Sequence, residues 1–155
     1  MQQVLPDKND IYEMLNLLLG DNMSVEYVDA ISSFDDTYVA LYVDAEDTPR
    51  AVCICDLEFA GYSGGAMTMM PVGGVQDAIG EKDLSGTLEQ NLYEVMNICT
   101  RLVINDETPH LRLTEVKKSS EVTEIIETLL GTGNRGDYEV SIPRYGKGHM
   151  TFLVA

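Results

Sequence analysis

The chain has 155 residues and a net charge of −16, from 26 acidic and 10 basic side chains, which argues against nucleic acid and anionic membrane surfaces as partners. Its hydrophobic fraction of 45% belongs to a globular protein rather than a disordered one, and the length suits one domain with a real core over 1–155. The longest weakly charged stretch, FAGYSGGAMTMMPVGGVQ, is interrupted by glycines and a proline and does not read as a membrane span.

MQQVLPDKND lacks the basic region and apolar run of a secretory leader. From Asp7 to Leu19 the apolar residues Ile11, Met14, Leu15, Leu18 and Leu19 fall at helical spacing, and Gly20 supplies a stop. MSVEYVDAI, DDTYVALYVDAED and RAVCICDLEF are β-rich, with a turn at Asp47–Pro49, and predict three strands in an antiparallel meander. Phe59 to Met70 reads as a buried helix rich in small residues. Gly64 and Gly65 fit no phosphate-loop pattern there, so close helix packing accounts for them. PVGGVQDAIGEKD reads as a loop with one helical turn at most.

SGTLEQNLYEVMNICTRLVIND is the strongest helix, capped by Ser85 or Thr87, with Asp106 just beyond its end. HLRLTEVKK is a strand. SSEVTEIIETLLGTG is a helix capped by Ser119 or Ser120 and stopped by Gly131. The last twenty residues predict a hairpin with its turn near Tyr145–Gly148. Helix followed by strands thus occurs twice. The expected class is α+β, with helices packed on an antiparallel sheet and two weakly similar halves.

The halves share a pattern. IYEMLNLL at Ile11–Leu18 and LYEVMNIC at Leu92–Cys99 both read apolar-Tyr-Glu-apolar-apolar-Asn-apolar, 81 residues apart. On the long helix Leu88, Leu92, Val95, Met96, Cys99, Leu102 and Val103 make one apolar stripe. Gln90, Glu94, Asn97 and Arg101 lie opposite it as a ridge. On the first helix Glu13 and Asn16 point away from Ile11, Leu15 and Leu18. An Asn in a helix interior costs about 0.5 kcal/mol against Ala, and neither Asn is needed by a core. An exposed carboxylate one turn from a carboxamide can pair with a partner's cation and orient a water without titrating. It has no nucleophile–base couple and no metal cluster, so it makes sense as half of an active site that another protein completes.

LEQNLYEVMNICTRLV resembles the signature helix of the CheC/CheX/FliY chemotaxis phosphatases, where Glu-x-x-Asn sits mid-helix. Chain length, element order and the repeat in the other half are also similar to that family. The resemblance implies a CheC-like fold and dephosphorylation of the aspartyl phosphate of a CheY-type response regulator. Asn97 would orient the attacking water and Glu94 would pair with the regulator's active-site lysine. The regulator would bring its own Mg²⁺, so this chain would need no cofactor or metal of its own. Glu13 and Asn16 would form a second site. The family often has Asp or Ser four residues before the Glu; here Gln90 and Asn9 stand there. The proline downstream of the Asn is not at its place, and NLLLGDN replaces the small residues that follow the first-half Asn in two-site members. The expectation therefore rests more on Glu94 and Asn97 than on Glu13 and Asn16.

Cys53, Cys55 and Cys99 are odd in number and read as buried thiols of a reducing cytosol. His110 and His149, far apart in sequence, read as structural or surface residues rather than ligands. The carboxylates of SSFDDTYV and VDAEDTP lack calcium-loop spacing and read as solvated turns. Two other functions fit the same acidic chain: a non-catalytic CheC-like module that binds a regulator or flagellar partner, and an acidic secretion chaperone. Either could act as a homodimer.

Overall fold

The computed structural model describes residues 5–84, 86–104 and 110–155. In chain order the elements are α1 (Lys8–Leu19), β1 (Ser24–Tyr27), β2 (Tyr38–Val43), β3 (Pro49–Cys55), α2 (Leu57–Met67), α3 (Val72–Gly80), α4 (Thr87–Ile98), β4 (Arg112–Lys118), α5 (Thr123–Leu130), β5 (Asn134–Ile142) and β6 (Gly146–Val154). A 3-10 turn at Cys99–Leu102 follows α4, and another at Ser119–Glu121 precedes α5.

α1 begins and ends for local reasons. The Asp7 carboxylate accepts from the backbone N–H groups of Asn9 and Asp10 at 2.8 and 3.0 Å, satisfying two orphan donors. Gly20, at φ 107°, returns its N–H to Asn16 O and stops the helix. Ile11 and Leu15 carry the buried face.

The six strands form one antiparallel sheet in the order β1-β5-β6-β3-β2-β4. Exchanging the halves α1-β1-β2-β3 and α4-β4-β5-β6 turns this order into its own reverse. Each half hands its first strand to the other: β1 pairs with β5, and β4 with β2. The expected three-strand meander is therefore corrected. Of these three strands only β2 and β3 pair with each other, because the long segment after β1 lets it cross to the far edge.

α1, α2, α3 and α4 cover one sheet face, over Tyr38, Ala40, Tyr42, Cys53, Tyr138 and Phe152. α5 covers Val39, Leu41, Val52, Ile54 and Leu153 on the other. β2 is buried at all six positions because it has helices on both sides.

Other boundaries also differ from expectation. The buried helix starts at Leu57 and ends at Met67, capped by Asp56 Oδ1, which accepts from Phe59 N at 2.7 Å. The stretch after Pro71 is a nine-residue helix rather than a loop. α4 ends at Ile98 and tightens into a 3-10 turn. Thr87 is its first residue and Gly86 its cap, while Ser85 and Asp106 lie outside the described residues, as do the first four of the chain. Ser119 and Ser120 do not cap α5. They form the 3-10 turn before it, and Ser119 Oγ donates to Phe34 O at 2.7 Å. The last hairpin turns at Pro143–Tyr145, beginning two residues earlier than expected. Tyr145 N donates to Ile142 O at 3.0 Å, with Pro143 fixing the first corner and Arg144 at φ 77° the second.

Candidate functional site

α4 is seated by its apolar stripe and by two polar ties. Leu92, Val95 and Met96 are fully buried, each apolar side chain contributing about 1.5–3 kcal/mol. Tyr42 Oη, rising from β2, donates to Met96 O at 2.7 Å. Asn91 Nδ2 reaches across to α2, donating to Gly64 O at 2.8 Å and Thr68 Oγ1 at 3.0 Å. The helices come this close because Gly64 has no side chain: a Cβ there would lie 2.9 Å from Leu88 O. Gly61 and Gly65 likewise admit Ile79 and Val75 of α3. The glycines do serve helix packing, as their sequence context implied.

Seating α4 this way turns Gln90, Glu94 and Asn97 outward, and all three are exposed. Glu94 and Asn97 stand about 4.5 Å apart along the axis and about 60° around it. Neither side chain is hydrogen-bonded or ion-paired among the described residues. Arg101 is exposed as well, but it sits in the 3-10 turn, which advances about 120° per residue instead of about 100°. It therefore swings about 40° further from Asn97 than a continued α-helix would carry it. Most other basic side chains are spent on local carboxylates, as in Lys8–Glu26, Arg50–Asp44, Lys82–Asp36 and Arg135–Asp137. Arg101 makes no ion pair among the described residues.

The first-half pair differs. Glu13 is exposed, but Asn16 is half-buried, and its Oδ1 is buried without a hydrogen-bond partner among the described residues. An amide turned inward presents less of itself to a partner than Asn97 does. The preceding tyrosines match closely: Tyr12 and Tyr93 are 39% and 38% exposed.

The remaining chemistry-bearing residues are structural. Cys53 and Cys55 point to one sheet face with their Sγ atoms 3.9 Å apart, and Cys99 is buried as well. Burial pushes the thiols of Cys53 and Cys99 well up, which makes them poor nucleophiles. His149, on β6, lies between two carboxylates, with Nδ1 2.9 Å from Asp56 Oδ2 and Nε2 3.3 Å from Glu139 Oε2. Its own N–H donates to Asp56 Oδ1, so it anchors the start of α2 rather than lining the ridge. His110 is exposed in a turn. Asp44 organises its turn by accepting from Glu46 N and Thr48 N.

Sequence reasoning missed Asn91, whose position beside the motif gave no sign that it ties α4 to α2. It also missed the inward turn of Asn16, which helical phase alone does not reveal.

No family model matches the chain, and no curated protein matches it. Among solved structures, a chain of the FliG–FliM complex from H. pylori aligns over 95% of this chain and 85% of its own, with a TM-score of 0.53 at 11% identity. A chain of the CheX–CheY complex with BeF3 and Mg from Borrelia burgdorferi gives 0.41 at 9% identity, covering 92% of this chain and 91% of that one. A FliM middle domain from Vibrio alginolyticus gives 0.38 at 6% identity, over 95% of this chain and 85% of that one. The first likeness is one of fold. The chain is α+β and shares the fold of that chain of the FliG–FliM complex.

Proposed function

We propose that the chain is a phosphatase acting on the aspartyl phosphate of a CheY-type response regulator, and that α4 is its working helix. The observation that carries this reading is the pairing of Glu94 and Asn97, side by side, exposed and uncommitted, on a helix whose other face is locked into the core. In this reading the Glu94 carboxylate pairs with a lysine of the regulator and fixes its orientation. The Asn97 amide accepts a hydrogen bond from a water and holds it in line with the phosphorus, while the regulator supplies the phosphoryl group and its Mg²⁺. Positioning and electrostatics do the work, as they do for phosphoryl transfer generally. The inward Asn16 leaves Glu13 and Asn16 as the lesser site.

A second reading is favoured by the fold likeness to a chain of a FliG–FliM complex: a module that holds a regulator or flagellar partner without hydrolysis. One experiment separates the two. The chain is titrated with phosphorylated regulators, and complex formation and inorganic phosphate are recorded together. Binding with faster phosphate release supports the phosphatase. Binding with an unchanged release rate leaves the module, and no binding to any regulator removes the phosphatase and leaves the module only with a flagellar partner.

A further inference from the structure

Beside the ridge, α4 and the edge strand β4 leave a shallow cleft of about 390 Å³, lined by Gly86, Glu89, Gln90, Tyr93 and Val116. Val116 stands opposite Ala40 in the β2–β4 register and so faces the helix side of the sheet. It forms an aliphatic wall. Tyr93 immediately precedes Glu94, and its hydroxyl has no hydrogen-bond partner among the described residues, so its ring is a free surface continuous with the ridge. Glu89 is exposed and makes no ion pair among the described residues. Among the described residues that line it, the cleft has no cation of its own. On β4 Lys117 is taken by Glu115, and Lys118 lines a separate groove beside Phe34.

An aliphatic wall, an aromatic face, an amide and a carboxylate together complement one kind of guest: a long apolar stem with a cationic head. The −16 charge of the chain draws basic surfaces toward it. We propose that this cleft receives a lysine or arginine side chain of the regulator that docks on the Glu94–Asn97 ridge. The stem lies on Val116, the cation over the Tyr93 ring and against the Glu89 carboxylate. The docking partner rests on the functional reading above; the cleft's chemistry does not.

Two measurements keep these apart. In the first, ¹⁵N-labelled protein is titrated with N-acetyl-lysine methylamide and, as control, with its uncharged norleucine analogue. The lysine compound is expected to shift the amides of Glu89, Tyr93 and Val116. The norleucine compound should shift them far less, and Glu89→Gln should abolish the difference. Equal shifts from both compounds, or none at the cleft, overturn the proposal whatever the chain does to regulators. In the second, Glu89→Gln and Tyr93→Leu are each expected to raise KM for the phosphorylated regulator about two- to fivefold with kcat unchanged. The double variant should cost less than the product of the two, because both groups hold one cation. An unchanged KM in both variants, alongside working catalysis, also overturns the proposal. Lysine-selective shifts in a chain that dephosphorylates nothing leave the cleft standing and overturn only the phosphatase reading.

Discussion

Replacing Gly64 by Ala tests how α4 is held in place. The new methyl would lie 2.9 Å from Leu88 O and 3.6 Å from Asn91 Cβ, and the first of these is backbone and cannot rotate away. To reach ordinary contact, α2 and α4 must part by about half an ångström. Ala in a helix interior gains about 1 kcal/mol over Gly, while overpacking a dense contact costs about 1–3 kcal/mol. The expected net effect is a loss of about 1 kcal/mol. Gly74 of α3 is the control, since nothing lies within 4 Å of a Cβ built there. Gly74→Ala should gain up to about 1 kcal/mol from propensity alone. Urea titrations of both variants should show midpoints moving in opposite directions, by about half a molar for a slope of about 2 kcal/mol/M. If Gly64→Ala is as stable as the wild type, the close approach of α2 and α4 is wrong, and with it the seating of the ridge.

Glu94→Lys should leave the thermal midpoint almost unchanged, since exposed substitutions move stability by about 0.5 kcal/mol or less. It should weaken regulator binding through like-charge repulsion, and a melt and a binding titration on one sample check both; unfolding would mean that Glu94 is buried. Asp137 gives a pH dependence. Burial alone would push its carboxyl up, but bonds from Arg135, Thr151 and the Ile31 N–H outweigh this and hold it below the ordinary value. A depressed folded-state value means that the stability it contributes is complete above the unfolded value of about 4 and drains away as the pH falls below it. Asp137→Asn should therefore flatten the acid limb of a stability–pH profile; an unchanged limb would show that Asp137 does not drive it. Asn91→Ala removes the bonds to Gly64 O and Thr68 Oγ1 and should cost about 1 kcal/mol in urea unfolding; no loss would mean that the tie is absent in solution.

The elements that local chemistry dictates were legible in the sequence. Asp7, the Ile11–Leu15 spacing and Gly20 define α1 without help from the rest of the chain. The outward ridge of α4 follows from its stripe, so Gln90, Glu94 and Asn97 could be placed by phase alone. What failed depends on distant partners or on context. β1 finds β5, more than a hundred residues away, and no local pattern encodes that choice. Pro71, Gly73 and Gly74 read as breakers, yet a proline just ahead of a first turn is compatible with a helix, and Val75 pulls α3 onto the core. The tightening of α4 into a 3-10 turn at Cys99 was likewise unsignalled, and it moves Arg101 away from Asn97. The repeated Tyr beside each Glu was visible, but the cleft next to Tyr93 needs Val116 from an edge strand.

The most direct measurement is the decay of aspartyl phosphate on a phosphorylated CheY-type regulator, followed alone and with wild type, Asn97→Ala and Asn16→Ala. Wild type is expected to speed the decay. Asn97→Ala should lose most of that acceleration, on the order of a hundredfold, about 2.7 kcal/mol of transition-state stabilisation, and Asn16→Ala should lose much less. Decay at the regulator's own rate with wild type present, or activity that survives Asn97→Ala but not Asn16→Ala, would contradict the assignment of catalysis to α4.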